Sequence, residues 1–235
     1  MKKILFTLAG LELIEPSEAF KVGIITDLHL HLRYNQSAQH LDECTNGAGD
    51  KTAIEAPMGR YQCDCPPILI ETMLHRFDEH FGKQDVIFLT GDFAAHHVAM
   101  HGPDAPNTYN LLLDTFYEVN NLLKDQFPDT IILPAFGNAD AKYHDNPIPE
   151  SDRAFFYDYI YNLWFNNLPG NRDLIPKQEK KAIADTFNEG GYYRVDLNDK
   201  VSTLVLNTLY YDSKRDYAIV ADGGEGAVEL KWLEE

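Results

Sequence analysis

The chain is poor in cysteine, tryptophan, methionine and positive charge. Its 235 residues hold three cysteines, two tryptophans, four methionines, and 20 Lys and Arg against 37 Asp and Glu. The acidic excess, formally −17 at pH 7, opposes a general basic face for a nucleic-acid duplex or for anionic lipid. No apolar run approaches the length of a transmembrane helix, and no repeat or low-complexity tract interrupts the sequence. No glycine-rich phosphate loop of either common type is present. That weighs against a nucleotide-binding α/β protein in which other glycine pairs are coincidental turns. Cys63-Asp-Cys65 is too closely spaced for an ordinary zinc knuckle, and no second pair completes one.

Cys44 and Cys63 bracket a loop containing Gly, Asp and Pro. One bridge between them, with Cys65 as a spare thiol, is the preferred reading, although spacing alone leaves the pairing of the three open. Lys2-Lys3 ahead of the apolar stretch Ile4–Leu11, with small residues at Ser17-Glu-Ala19, outlines a short secretory signal over 1–19. The alternative is a first strand with a polar loop. Asn35-Gln-Ser37 is a glycosylation acceptor on an expected loop. Together these point to a secreted protein or one in a lysosomal or vacuolar lumen.

Strand-like runs alternate with helix-like ones, which predicts an α/β layered fold. Strands are expected at 22–26, 85–90 and 130–134. A long polar loop covers roughly 32–62. Pro66-Pro67 opens a helix carrying Ile68, Leu69, Met73, Leu74 and Phe77 at helical spacing. A second amphipathic helix carries Tyr109, Leu112, Leu113, Phe116, Val119, Leu122 and Leu123. A third, about 152–166, holds Phe155, Phe156, Tyr159 and Trp164, read as core or groove lining. Beyond Gly190-Gly191, two short runs flank Asn198-Asp199 as an antiparallel hairpin. The tail from Gly226 starts a helix with no cap, Gly or Pro to close it.

The chemistry-bearing residues follow the first three strands. Asp27 and His29 stand two apart after the first, Gly91-Asp92 after the second, and Gly137-Asn138 after the third. Oxygen and imidazole ligands delivered from successive strand ends are what a two-metal hydrolytic site requires. A carboxylate such as Asp92 can bridge two cations, and a neutral amide oxygen such as that of Asn138 leaves a cation strongly Lewis acidic. Singly, Gly-Asp and Gly-Asn are common turn pairs; as an ordered set after three strands they are specific.

The order Asp-x-His, Gly-Asp, Gly-Asn resembles the calcineurin-like metallophosphoesterases. Gly59-Arg-Tyr-Gln-Cys63-Asp-Cys-Pro-Pro67, Thr90-Gly-Asp92-Phe-Ala-Ala-His96 and Leu206-Asn-Thr-Leu-Tyr-Tyr211 are similar to the acid sphingomyelinase-like phosphodiesterase branch. The likeness runs from about Phe20 to the last residue, more loosely at 45–58 and 167–190. It implies one domain over 20–235 with a two-sheet sandwich flanked by helices in four layers. It also implies two divalent cations, zinc being the expected identity. Asp27 and His29 would hold the first, Asp92 would bridge, and Asn138 would hold the second. His96 would help protonate the leaving group. The implied substrate is a small phosphate ester: a nucleotide, a phosphocholine conjugate, polyphosphate or sphingomyelin.

Two departures from that pattern set the rival readings. Many relatives read Gly-Asn-His, whereas this chain reads Gly137-Asn138-Ala139, with His144 close enough in sequence to substitute or to bind substrate. The family's later Gly-His ligand motifs are also expected beyond the point where the last helix stops, so the domain is expected to be incomplete at its C-terminus. A truncated product, or a pseudoenzyme of the same fold that binds a ligand or partner, is the alternative to a phosphodiesterase or phosphomonoesterase.

Overall fold

Three runs rich in β-branched residues become three parallel strands: β1 (Val22–Ile25), β2 (Val86–Leu89) and β3 (Ile131–Pro134), in that order across the sheet. The computed structural model describes residues 19–38, 44, 54–96, 108–211, 221 and 223–235. Apart from Ala19, the expected signal segment lies outside the described residues. The strands pair without stagger, Val22 with Val86 and Val86 with Ile131, ending level at Ile25, Leu89 and Pro134. That register delivers the segments after all three strands to one edge of the sheet, where ligands of open α/β folds gather.

The two crossovers are helical, as parallel strands require. Helix α1 (Pro67–Phe81) starts at a proline, whose missing N–H costs nothing in the first turn, and buries Ile70 and Leu74. Helix α2 (Thr108–Gln126) buries Leu112, Phe116, Val119 and Leu123, one stripe at helical period, and packs against α1.

The second half of the chain covers the far edge of the sheet. Helix α3 (Glu150–Tyr161) runs on as a π-helical segment over Asn162–Asn167, then α4 (Pro169–Leu174) and α5 (Lys177–Gly190) follow. The sequence pattern foresaw α3 but not α4 or α5. Asn171 in α4 is fully buried and acts as a substitute strand. Its Oδ1 accepts from Ile132 N at 2.8 Å, and its Nδ2 donates to Ile132 O at 2.6 Å and Trp164 O at 2.9 Å. A buried amide satisfied on both sides removes the cost of an unpaired strand edge. Of the aromatics expected to line the core, Phe156 and Trp164 are buried, whereas Phe155 and Tyr159 turn to the outer, exposed face of the helix. Phe136 packs on Trp164 at 4.9 Å and on Phe187 at 5.8 Å, between ring centroids.

Strands β4 (Tyr193–Asp196) and β5 (Ser202–Val205) form the expected antiparallel hairpin, its turn held by Lys200 N on Asn198 Oδ1 at 2.9 Å. The described residues therefore carry two sheets, one parallel and one antiparallel, within a mixed α/β fold. Among the described residues no helix is long and apolar enough to cross a membrane. Cys44 and Cys63 are joined, closing a loop across 19 positions, a constraint worth about 3 kcal/mol through the unfolded state. Cys65 keeps a free thiol, which burial and then the Asp64 charge push above its ordinary pKa.

Helix α6 (Glu225–Glu234) is tied back by a fully buried acid. Glu229 Oε1 accepts from Asn207 N at 2.7 Å and Oε2 from the Tyr211 hydroxyl at 2.6 Å, at the ends of the Asn207–Tyr211 turn. Burial raises the Glu229 carboxyl above the ordinary range, against the pull of those two donors. A carboxyl with a raised folded pKa holds its proton longer in the folded state, so its contribution to stability falls as pH rises from the unfolded value. Glu229→Gln keeps an acceptor for Asn207 and removes the charge. Thermal melts at pH 4 and pH 7 should show the variant gaining on the native protein as pH rises; an equal gap at both would contradict the assignment.

Candidate metal centre

The backbone pairing of β1 and β2 continues past both strand ends. Asp27 N donates to Gly91 O at 3.1 Å, His29 N to Asp92 O at 2.9 Å and Leu30 N to Phe93 O at 2.7 Å. Leu28 and Leu30 turn into the core, so the alternate positions Asp27 and His29 face outward. His29 Nε2 lies 3.7 Å from Asp27 Oδ1 and 3.8 Å from Asp92 Oδ2. One ligand atom from each of these residues falls within 4.8 Å of the others. The His29 ring is oriented by its Nδ1 against Ala94 O at 3.1 Å, which leaves Nε2 toward the carboxylates.

Each of the three stands in left-handed backbone, with φ of 54° at Asp27, 42° at His29 and 56° at Asp92. Such residues cost about 1 kcal/mol or more apiece and collect at functional sites. Two glycines let the loops close. A Cβ on Gly91 (φ 101°) would stand 2.4 Å from Gly137 N, and one on Gly137 would stand 2.2 Å from Asp92 Oδ1. The backbones of the Gly-Asp and Gly-Asn segments touch, which no side chain would permit.

A residue to which the sequence pattern gave no role holds this contact together. Asp140 has no solvent exposure, and its two oxygens accept four backbone N–H groups. Oδ2 meets Asp92 N at 2.7 Å and Gly137 N at 2.8 Å. Oδ1 meets Phe93 N at 2.8 Å and Ala94 N at 3.1 Å. In return Asp92 Oδ1 accepts from Ala139 N at 2.8 Å, so its Oδ2 is the oxygen left toward His29. Burial pushes the Asp140 carboxyl up to about 7, the amides pull it down, and the neighbouring Asp92 charge adds to the rise. All four amides are donors, so the geometry satisfies the ionised form.

Asn138 is oriented in the same manner. Its Nδ2 donates to Asp145 Oδ1 at 2.8 Å and lies 3.2 Å from His144 Nε2, which commits the nitrogen and leaves the amide oxygen for another partner. His144 Nδ1 lies 3.1 Å from Asp145 Oδ1, so this histidine stands beside Asn138. His96 sits across the site, its ring stacked on that of His29 at 4.1 Å and tilted 34° from His144 at 5.9 Å. The structure thus gathers Asp27, His29, Asp92, Asn138, His96 and His144 round one edge of the sheet. Asn35, the acceptor asparagine, precedes the disulfide loop, its N donating to Cys44 O at 2.7 Å. Its Oδ1 accepts from Ser37 N at 2.9 Å. Sequence reasoning passed over Asp64, Asp140 and Asp145; the only signal was their position, one or two residues from a motif residue.

The donor chemistry fits divalent cations: carboxylate oxygens, an imidazole nitrogen and an amide oxygen, with orienting partners behind them. No protein-family profile matches the chain. Among curated proteins it is similar to the acid sphingomyelinase-like phosphodiesterase 3b of Mus musculus, 30% identical over 89% of this chain and 42% of that protein. It is also similar to the endopolyphosphatase of Schizosaccharomyces pombe, 29% identical over 81% and 33%. A third is the sphingomyelinase phosphodiesterase C of Dictyostelium discoideum, 28% identical over 99% and 48%. The chain therefore spans less than half the length of these relatives.

Asp140→Asn would turn an amide nitrogen toward two of the four N–H donors. Chemical denaturation should show a loss of about 3 kcal/mol, as for a broken buried charged network. A loss below about 0.5 kcal/mol, the size of an ordinary surface change, would mean that Asp140 does not hold the loops.

Proposed function

Because this chain belongs to the acid sphingomyelinase-like branch of the calcineurin-like metallophosphoesterases, we propose that it hydrolyses phosphoric esters at the edge formed by Asp27, His29, Asp92 and Asn138. The observation that carries this reading is the convergence of Asp27, His29 and Asp92 in strained backbone, within 4.8 Å of one another through their ligand atoms. Asp27 and His29 would hold one cation, Asp92 Oδ2 would face both, and Asn138 Oδ1 would hold the second. Two bound divalent cations, zinc being the identity suited to this mixture of nitrogen and oxygen, would supply an activated water and polarise the phosphoryl oxygens.

The chain's own residues do the rest. The Ala94 carbonyl keeps the His29 ring turned toward the carboxylates, and Asp145 with His144 keeps the Asn138 amide oxygen outward. We assign to His96, half exposed and stacked on His29, the proton for the departing oxygen; the His144 ring lies 5.9 Å away. Ala139 is buried and spends its N–H on Asp92, so no imidazole comes from that position.

The substrate we favour is a small phosphate ester: a nucleotide, a phosphocholine conjugate, polyphosphate or sphingomyelin. Relatives named for sphingomyelin-type diesters and for polyphosphate support that range. The net charge of −17 argues against a duplex. The disulfide suits a secreted or luminal protein. An N-terminal signal over 1–19, a domain over 20–235 and a glycan on Asn35 belong to the same proposal. Ala139 keeps one other reading in play, a member of this fold that binds a ligand without turnover.

Two measurements separate the readings. Added Zn2+ should raise the melting temperature, reversibly with a chelator, because a ligand of the folded state stabilises it. The metal-loaded protein should hydrolyse bis(p-nitrophenyl) phosphate, and Asp92→Asn should lower kcat/KM by about a thousandfold. No thermal shift with any divalent ion would overturn the metal assignment; a shift without turnover would favour the binding protein.

A further inference from the structure

Asp64 lies between the two cysteines of Cys63-Asp-Cys65, and its carboxylate makes two contacts with one residue. Oδ2 accepts from His96 N at 2.8 Å and Oδ1 from His96 Nδ1 at 2.8 Å. The Asp64 side chain is largely buried while that of His96 is half exposed. Its own backbone is clamped on both sides. Cys63 is bonded to Cys44, and Cys65 N donates to His29 O at 2.9 Å while Cys65 O accepts from His31 N at 2.8 Å. The carboxylate is thus fixed to the segment that carries Asp27 and His29, and it reaches across to the segment that follows Asp92. Because an ionised carboxylate only accepts, Nδ1 carries the proton in this pair.

We propose that Asp64 is the positioning residue of His96: it holds the imidazole by its Nδ1–H, stacked on His29, so that Nε2 faces the departing oxygen of the substrate. This rests on the phosphoesterase reading above. In the reaction the attacking water oxygen bonds phosphorus as the P–O bond to the leaving alcohol breaks. The leaving oxygen takes the proton from His96 Nε2. The ring keeps its Nδ1–H on Asp64, and the proton released by the attacking water goes to solvent and later restores Nε2. Asp64 touches neither substrate nor reacting atoms.

The atoms of His29, Asp64 and His96 also lie within 4.8 Å, which raises a third ligand set as a rival. Their geometry speaks against it. The two rings are only 14° from parallel, so their in-plane lone pairs run side by side instead of converging, and both Asp64 oxygens are engaged by His96.

The test uses the full chain with Asp64→Ala, Asp64→Asn, His96→Ala and the double variant Asp64→Ala/His96→Ala. In metal-free protein, long-range 1H–15N imidazole spectra should show His96 protonated at Nδ1, with that signature lost in Asp64→Ala and kept in Asp64→Asn, which retains an acceptor. In the zinc-loaded protein, Asp64→Ala should slow a phosphodiester with an alkoxide leaving group at least about tenfold more than bis(p-nitrophenyl) phosphate, whose stable phenolate needs no proton. The double variant should be no slower than His96→Ala alone. Equal slowing of both esters, an additive double variant, an unchanged imidazole signature or less zinc per chain in Asp64→Ala would each overturn the proposal. Should Asp64→Ala fail to fold, loss of the Nδ1 signature in folded Asp64→Asn, with both esters slowed equally, would overturn it. If the native protein cleaves neither ester, the phosphoesterase reading fails, and the spectra alone decide whether Asp64 positions the ring.

Discussion

One buried carboxylate joins the parts of the site. Asp140 takes the amides of Asp92, Phe93 and Ala94 from one loop and of Gly137 from the next, and without it four donors would face one another across a dry gap. A buried charge costs several kcal/mol unless hydrogen bonds replace its water, and here they do so at every contact. The arrangement also fixes the neighbours' roles. With its N–H bound, Asp92 is rotated so that one oxygen meets Ala139 and the other is left toward His29.

The surrounding backbone is held away from its preferred states. Asp27, His29 and Asp92 lie at positive φ, and the Gly91 and Gly137 backbones touch. Such strain persists only where the rest of the fold over-determines it. Level strand ends supply one constraint, and the backbone bonds that carry the β1–β2 pairing into the loops supply another. The aromatic core around Phe136 and Trp164 supplies the stability that offsets the cost.

Buried polar side chains recur as ties between segments distant in sequence. Asn171 completes the edge of β3, Glu229 fastens the last helix to the Asn207–Tyr211 turn, and Asp64 bridges the disulfide loop to His96. Asn171 and Glu229 satisfy backbone donors that burial would otherwise leave unpaired, Asp64 holds a half-exposed ring, and each fixes one arrangement where an apolar contact would allow several.

The sequence by itself determined the sheet order of chemistry: β-branched runs at 22–25, 86–89 and 131–134 form strands because those residues suit a pleated, buried surface. The motif residues just after them had to emerge at one edge. It also determined α1, α2, the hairpin and the aromatic core, through periodicity and turn chemistry. Only the tertiary structure decided that Asp140 serves four amides, that Asp145 and His144 turn the Asn138 amide, and that Asp64 faces His96. Nothing local marks these acids, since an aspartate in a loop reads as a solvated turn residue. The role of Asp145 arises from the fold of a single loop. Those of Asp140 and Asp64 arise from contacts 47 and 32 positions apart, pairings that exist only once the strands have set the loops side by side.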